Sequence, residues 1–168
     1  RLKAGSNAVN DFAGFLTAEI TPTDKISIRP GIRVIRNSVY DAPPVIPSVN
    51  TKFVLSKNLD LRLSYARGFR SPSLRELYFS FFDANHQVVG NPDLKAETSH
   101  SFTGTLALNR KLENGVNWTA QLGGFYNDVK NLIDFVFTQG SDTAKLYNVL
   151  NSTTAGINLS ASVTFGNW

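Results

Sequence analysis

The side chains best suited to chemistry in this 168-residue chain are two histidines, His86 and His100, the loop carboxylates Asp41 and Asp83, the arginines Arg67, Arg70 and Arg75, and an aromatic run from Tyr78 to Phe82. A metal centre needs several donors converging on one point. His86 and His100 stand apart, with no cysteine or dense carboxylate set beside them, so neither a metal nor a cofactor is expected. Asp41 and Asp83 have the chemistry of an acid–base pair, but nothing in the sequence brings them together. No Ser and His fall in register as nucleophile and base, and no Gly-rich loop leads from a strand into a helix to cradle phosphate. The chain therefore reads as non-enzymatic, with no catalytic residues. Asn117-Trp118-Thr119, Asn151-Ser152-Thr153 and Asn158-Leu159-Ser160 match the glycosylation sequon, at a frequency chance supplies.

What remains is binding. Tyr78, Phe79, Phe81 and Phe82, with His86 close behind, could stack on a planar or sugar ligand, while Arg67, Arg70 and Arg75 at the base of the same segment could hold an anionic one through charge-assisted hydrogen bonds. The plainer reading is that these rings pack on neighbouring loops, because exposed together they would form an apolar patch.

Composition bounds the setting for these groups. Hydrophobic residues make up 42% of the chain, yet mean hydropathy is −0.14, because Ser, Thr and Asn are interspersed among the apolar residues. No apolar run approaches the roughly 18 residues of a membrane-spanning helix. The absence of cysteine excludes disulfides and fits passage through an oxidising compartment. A net charge of +4 is spread along the chain without a basic cluster, so nucleic acid is not an expected partner. With no methionine and no charged-then-apolar leader, the sequence reads as beginning inside a longer protein.

The elements that must carry the loop alternate with period two. Ile26, Ile28, Pro30, Ile32 and Val34 share one face and Ser27, Arg29, Gly31 and Arg33 the other. The same pattern runs through Leu59–Ala66, Asn117–Asn127 and, for about a dozen residues, Ala155–Gly166. Weaker versions at 12–20, 52–56, 102–108 and 129–137 bring the total to about eight strands. Connections alternate between short (21–25, 57–58, 112–115) and long (41–49, 70–95, 139–146), as in transmembrane barrels with tight periplasmic turns and longer external loops. Trp118 at one edge, and Tyr65, Phe69 and Tyr126 at the other, suit interfacial aromatic girdles. Lipid should then meet Ile157, Leu159, Ala161 and Val163, and a hydrated lumen should meet Asn158, Ser160 and Ser162 along with Arg29, Arg33 and Arg62. The rival reading is a soluble β-sandwich, a ligand- or carbohydrate-binding module whose apolar faces form a dry core. A wall of this kind cut from a larger barrel has two open edges, which predicts strand swapping or a need for detergent.

Within this pattern, Leu61-Arg-Leu-Ser-Tyr-Ala-Arg-Gly-Phe69-Arg70-Ser71-Pro72 leads into Glu76-Leu77-Tyr78, and Asn91-Pro92-Asp93-Leu94-Lys95 leads toward Glu97. Pro72 and Pro92 hold Ser71 and Asn91 extended and interrupt the strands, and Ser73 to Glu76 can form one helical turn capped by Ser71 or Ser73 that folds the loop inward over a barrel mouth. These motifs resemble the barrel signature of TonB-dependent outer-membrane receptors, with Ala96 standing where the family usually has proline. The resemblance extends more loosely over nearly the whole chain. It implies an all-β, antiparallel meander forming residues 1–168 of a partial transmembrane barrel, roughly a third of about 22 strands. It also implies import of a scarce nutrient of siderophore, cobalamin or glycan type across the bacterial outer membrane. Implied partners are outer-membrane lipid, a plug domain of the same parent chain, and TonB acting through an N-terminal region absent from this segment. Phe165-Gly166-Asn167-Trp168 ends in an aromatic, as such barrels commonly do, but is read here as a cut in mid-strand.

Overall fold

A computed structural model describes residues 10–38, 43–82, 87–112, 115–137 and 143–165. Period-two alternation builds the wall. Strands β1 (Asp11–Thr17), β3 (Ile26–Asn37), β4 (Ile46–Ser56), β5 (Leu59–Arg70), β8 (Glu97–Lys111), β9 (Asn117–Phe137) and β10 (Thr143–Thr164) pair antiparallel, each with the next in that order. The short β2 (Ile20–Thr23) continues the line of β1 along β3. Elements contact their hydrogen-bonded neighbours, and among the described residues no second sheet covers either face. The architecture is the expected partial barrel, and the dry core that a sandwich requires is missing from the strands.

Register converts the alternation into two surfaces. One row runs Pro30, Val49, Tyr65, Phe102, Tyr126, Ala155 across five pairings, and the residues two, four and six positions from it on the turn side include Leu61, Leu63, Leu106, Leu108, Leu122, Ile157 and Leu159. These side chains stand out from the wall, Ile157 85% and Leu159 78% exposed, where a soluble protein would bury them. The opposite face carries Ser27, Arg29, Asn50, Lys52, Arg62, Ser64, Thr105, Gln121, Asn158 and Ser160. On it Arg29 bridges Glu19 at 3.0 Å and Lys52 bridges Asp60 at 3.0 Å.

The outward apolar band has edges. On β9 it extends from Trp118 to Tyr126, which at about 3.4 Å per residue and a tilt near 40° spans roughly 20 Å of bilayer, close to the 25 Å band of outer-membrane barrels. Tyr65, Phe102 and Tyr126 form the loop-side belt, with ring centroids 4.9 and 6.4 Å apart in succession. On β3 apolar residues continue past this row to Ile32 and Val34, whereas on β8 and β9 the next outward positions are His100 and Asp128. The band thus crosses the strands obliquely, as strands tilted to a barrel axis require.

Three expectations need correction. The signals at 117–127 and 129–137 belong to one 21-residue strand, β9, because Asp128 and Lys130 mark where the outward face leaves lipid and not where the strand ends. The last strand starts at Thr143, so the connection expected over 139–146 is shorter, and β10 extends for 22 residues. At about 3.4 Å per residue β9 and β10 are roughly 70 Å long and stand well above the membrane on the loop side. A two-position irregularity in their pairing between Asn148 and Ser152 faces Asn131, whose φ of 58° is left-handed. Finally, the long connection expected over 70–95, with one helical turn, carries more regular structure among its described residues: besides α1 (Leu74–Tyr78) it holds β6 (Ser80–Phe82) paired antiparallel with β7 (Gln87–Val89), and β7 runs parallel to β10 at 143–145.

Candidate functional site

The loop between β5 and β8 begins where Pro72 stops β5 and Ser73 starts α1. Ser73 is the N-cap of a complete capping box: its hydroxyl accepts from the Glu76 amide at 3.2 Å, and the Glu76 carboxylate accepts from the Ser73 amide at 2.7 Å. The chain returns at Gly90, whose amide donates to the Phe79 carbonyl at 2.7 Å. A Cβ on Gly90 would lie 2.9 Å from the Glu76 carbonyl oxygen and from the Leu77 carbonyl carbon, so only glycine fits this crossing.

Two sets of contacts hold the loop to the lumen side of the wall. Arg70, at the end of β5, donates from Nε and Nη2 to both oxygens of Glu97 at 2.7 and 2.6 Å, and from Nη1 to Glu76 at 3.0 Å. Glu97 also accepts from the Ile133 amide at 2.8 Å, which ties β8 to β9. These groups lie beyond the aromatic belt, outside the lipid. The Arg70 hydrogen bonds, reinforced by the Ile133 amide, hold the Glu97 carboxyl below its ordinary range against the opposing effect of burial. For Glu76, burial pushes upward, but the Ser73 amide and hydroxyl with Arg70 outweigh it and the net shift is downward. Glu97 keeps the Arg70 guanidinium charged beyond its ordinary value. On the other side Asn91 Nδ2 donates to the Leu146 carbonyl at 2.9 Å, and Asn148 exchanges hydrogen bonds with the Lys95 amide and carbonyl at 2.8 and 2.9 Å. Between them Leu77, Leu94 and Leu146 form a small core, 3–6% exposed, with Ile133 against it.

The candidate binding residues separate within this frame. Arg67 lies on the outward face with Tyr65 and Phe69, pointing away from Arg70 by strand alternation. Arg70 is engaged with its two carboxylates. Arg75 sits over the Phe79 ring at 4.9 Å, and Phe79 stacks on Phe81 with centroids 6.3 Å apart and planes 4° from parallel. By register Phe81, Val88 and Ala144 share one face, the face of buried Leu146, whereas Phe82 shares the other with Gln87 and Thr143, the side of Lys145 and Tyr147. Tyr78 and Phe82 are exposed. His86, Asp41 and Asp83 lie outside the described residues. Sequence reasoning missed Phe135 and Phe137, exposed on the Leu146 face of β9, and the Lys145 ammonium 5.2 Å from the Tyr147 ring. The aromatic alternation at 135 and 137 was the available signal.

Residues 3–168 match the family described as TonB dependent receptor-like, beta-barrel. Hemoglobin and hemoglobin-haptoglobin-binding protein C of Haemophilus influenzae is 35% identical over 78 residues, covering 46% of this chain and 7% of its own length. The siderophore receptor PirA of Acinetobacter baumannii superposes on 99% of this chain and 27% of its own with a TM-score of 0.77 at 18% identity. The hemophore receptor HasR of Serratia marcescens, solved with its hemophore HasA and heme, superposes on 93% of this chain and 32% of its own, with a TM-score of 0.75 at 13% identity. The chain thus spans under a tenth of the curated relative and about a quarter to a third of the solved barrels. A single-layer wall with an outward apolar band, belted by aromatics and topped by a folded loop, agrees with these matches: the chain belongs to the TonB-dependent receptor β-barrel family of the bacterial outer membrane.

Proposed function

We propose that the parent receptor captures an iron-bearing ligand outside the cell and imports it, and that the loop between β5 and β8 makes an early contact with it. The observation that carries this reading is the stack of Arg75, Phe79 and Phe81, which presents π-faces and a cation together on the lumen side of the rim. Such a surface suits a planar or aromatic anion, which includes haem and catecholate chelates; the names of the relatives speak of hemoglobin, heme and a siderophore. Tyr78, Phe82 and His86 complete the candidate set, while Arg70 serves the ligand by holding the loop in place. In this reading transport calls on a plug domain of the parent chain in the lumen and on TonB, a separate partner that acts through the parent's N-terminal region.

In the full-length receptor, replacing Arg75 and Phe81 with Ala should weaken binding of haemin or a ferric catecholate by about ten-fold, since a cation–π contact and a ring stack contribute about 0.5–1.5 kcal/mol each. Barrel heat resistance on gels should be unchanged. Parental affinity for both probes in the double variant, and in Phe81, Phe82 and His86 all changed to Ala, would show the loop to be a cover and not a contact.

A further inference from the structure

The lumen face of the wall is divided into two sectors. On β3, β4 and β5 it carries Arg29, Arg33, Lys52 and Arg62, and the carboxylates on that side are Glu19, Asp60 and, at the rim, Asp11, which accepts from Asn37. Lys52 and Arg62 are direct partners across β4 and β5, and like charges placed opposite one another destabilise a strand pair. Asp60 answers Lys52 at 3.0 Å and Glu19 answers Arg29 at 3.0 Å, whereas Arg33 and Arg62 have no hydrogen-bond or ionic partner among the described residues. Ser27, Asn50 and Ser64 complete a hollow of about 460 Å³ around Arg29, Lys52 and Arg62. The other sector is neutral: from Ser99 to Asn109 on β8, Thr119 to Val129 on β9 and Ser152 to Ser162 on β10, no inward side chain among the described residues is charged. Its polar groups satisfy one another, the Thr119 and Ser162 hydroxyls meeting at 2.7 Å and Asn127 donating to Thr154 at 3.5 Å. Its relief is low, because the Asn158 amide and the Phe125 ring lie across Gly123 and Gly156, where a Cβ would collide with them.

We propose that the plug of the parent chain is seated by its carboxylates against the β3–β5 sector, and that the water-filled gap between plug and wall lies against β8–β10. An exposed guanidinium is well hydrated in an open wall, but a protein body filling the lumen strips that water, and an anion must then replace it. The spacing of the cations selects the kind of anion. Arg29, Lys52 and Arg62 stand on three successive strands, each about 5 Å from the next, and Arg33 lies four residues, roughly 13 Å, farther along β3. One small anion cannot reach them all, whereas a folded acidic surface presents carboxylates at such intervals. The neutral sector offers no comparable hold, since hydroxyls and amides already paired gain little by exchanging water for protein. This seat is independent of the loop's ligand contact, and failure of one leaves the other standing.

The test is thiol labelling of the purified, heat-resistant full-length receptor with N-ethylmaleimide, which carries no charge. Ser64→Cys lies in the hollow and Ser160→Cys on the neutral sector, each between lipid-facing neighbours and hence within the thickness of the membrane. Over the background of the parent, the thiol at 160 should label several-fold faster than the thiol at 64. Asn50→Cys, in the same hollow, serves if Ser64→Cys fails to acquire heat resistance. Combined with either hollow variant, Arg62→Gln should raise labelling about ten-fold, as should salt at about 1 M, with no change at 160. A seat held by packing alone would respond to neither. Equal labelling of the two sectors, faster labelling at 64, protection at 64 untouched by Arg62→Gln and by salt, or protection there that requires added inorganic phosphate, the mark of a free anion, would each overturn the assignment.

Discussion

The wall and the loop that crowns it solve opposite problems with the same residue types. In the wall, leucines and isoleucines stand outward and exposed, and the apolar side chains buried among the described residues (Pro72, Leu77, Leu94, Ala96, Ala144 and Leu146) belong to the loop or to the top of β10. Ions show the same division: Arg29 and Lys52 make solvent-exposed pairs on the lumen face, while the Glu97 carboxylate is largely enclosed by Arg70 and the Ile133 amide. The lesson is about solvent. Lipid takes the place of a protein core along β3 to β10, so packing inside the molecule is needed only above the aromatic belt, where water would otherwise reach the folded loop. The wall is held by backbone pairing and lipid, and the loop by a miniature globular core with its own caps and ion pairs.

This contrast can be broken most sharply at adjacent positions of β10. Leu159→Arg places a cation in the middle of the apolar band and should cost about 2–4 kcal/mol of folding free energy in vesicles, whereas Ser160→Arg, one residue on and facing the lumen, should cost under about 1 kcal/mol. Denaturant titration of the full-length receptor reads both, and equal costs would remove the distinction between faces. Next in size is Leu77→Ala, where loss of a buried leucine from a three-residue core should free the loop by about 2–3 kcal/mol. Hydrogen exchange should rise over residues 71–96 while β8 and β9 below the belt stay protected; a change that spread through the wall would show that loop and wall fold as one unit.

The smallest effect sharpens the electrostatic half of the comparison. Arg70→Ala leaves Glu97 enclosed without its cation, but the guanidinium is itself about half exposed, so a loosening of about 1–2 kcal/mol is expected in place of the full cost of breaking a buried pair. The pH dependence has a definite sign. Glu76 and Glu97 titrate below their unfolded values, so their contribution is complete above the ordinary carboxylate range and disappears as pH falls through the depressed values. Loop protection should therefore be constant from neutral pH down to about 5, and drop in more acidic buffer. In Arg70→Ala that drop should shift to higher pH.

The wall was legible because its periodicity is a direct imprint of two solvents on a pleated backbone. Capping was equally local, so the helical turn after Pro72 could be read from Ser73 and Glu76. Two other features were hidden for identifiable reasons. Asp128 and Lys130 break the apolar alternation of β9 without breaking its hydrogen bonds, so one long strand looked like two. Arg67, Arg70 and Arg75 were grouped by proximity in sequence, yet alternation turns Arg67 outward, Arg70 is taken by Glu97 from another strand, and only Arg75 reaches the aromatic stack. The Arg70 partnership depends on a register of 27 residues' separation, which no local pattern encodes.

The parallel pairing of β7 with β10 at 143–145 also acts as a doorstop. Below Leu146, down to Thr164, the edge of β10 away from β9 carries a ladder of backbone groups ready for another strand, but the Leu146 carbonyl is taken by Asn91 and the three positions above it by the hairpin. A strand that zips onto β10 from the turn side must halt there, which sets the height of the rim at this point below the tips of β9 and β10. The barrel mouth would then be notched beside the loop, an asymmetric lip through which the approach to the lumen is lowest where the aromatic stack stands.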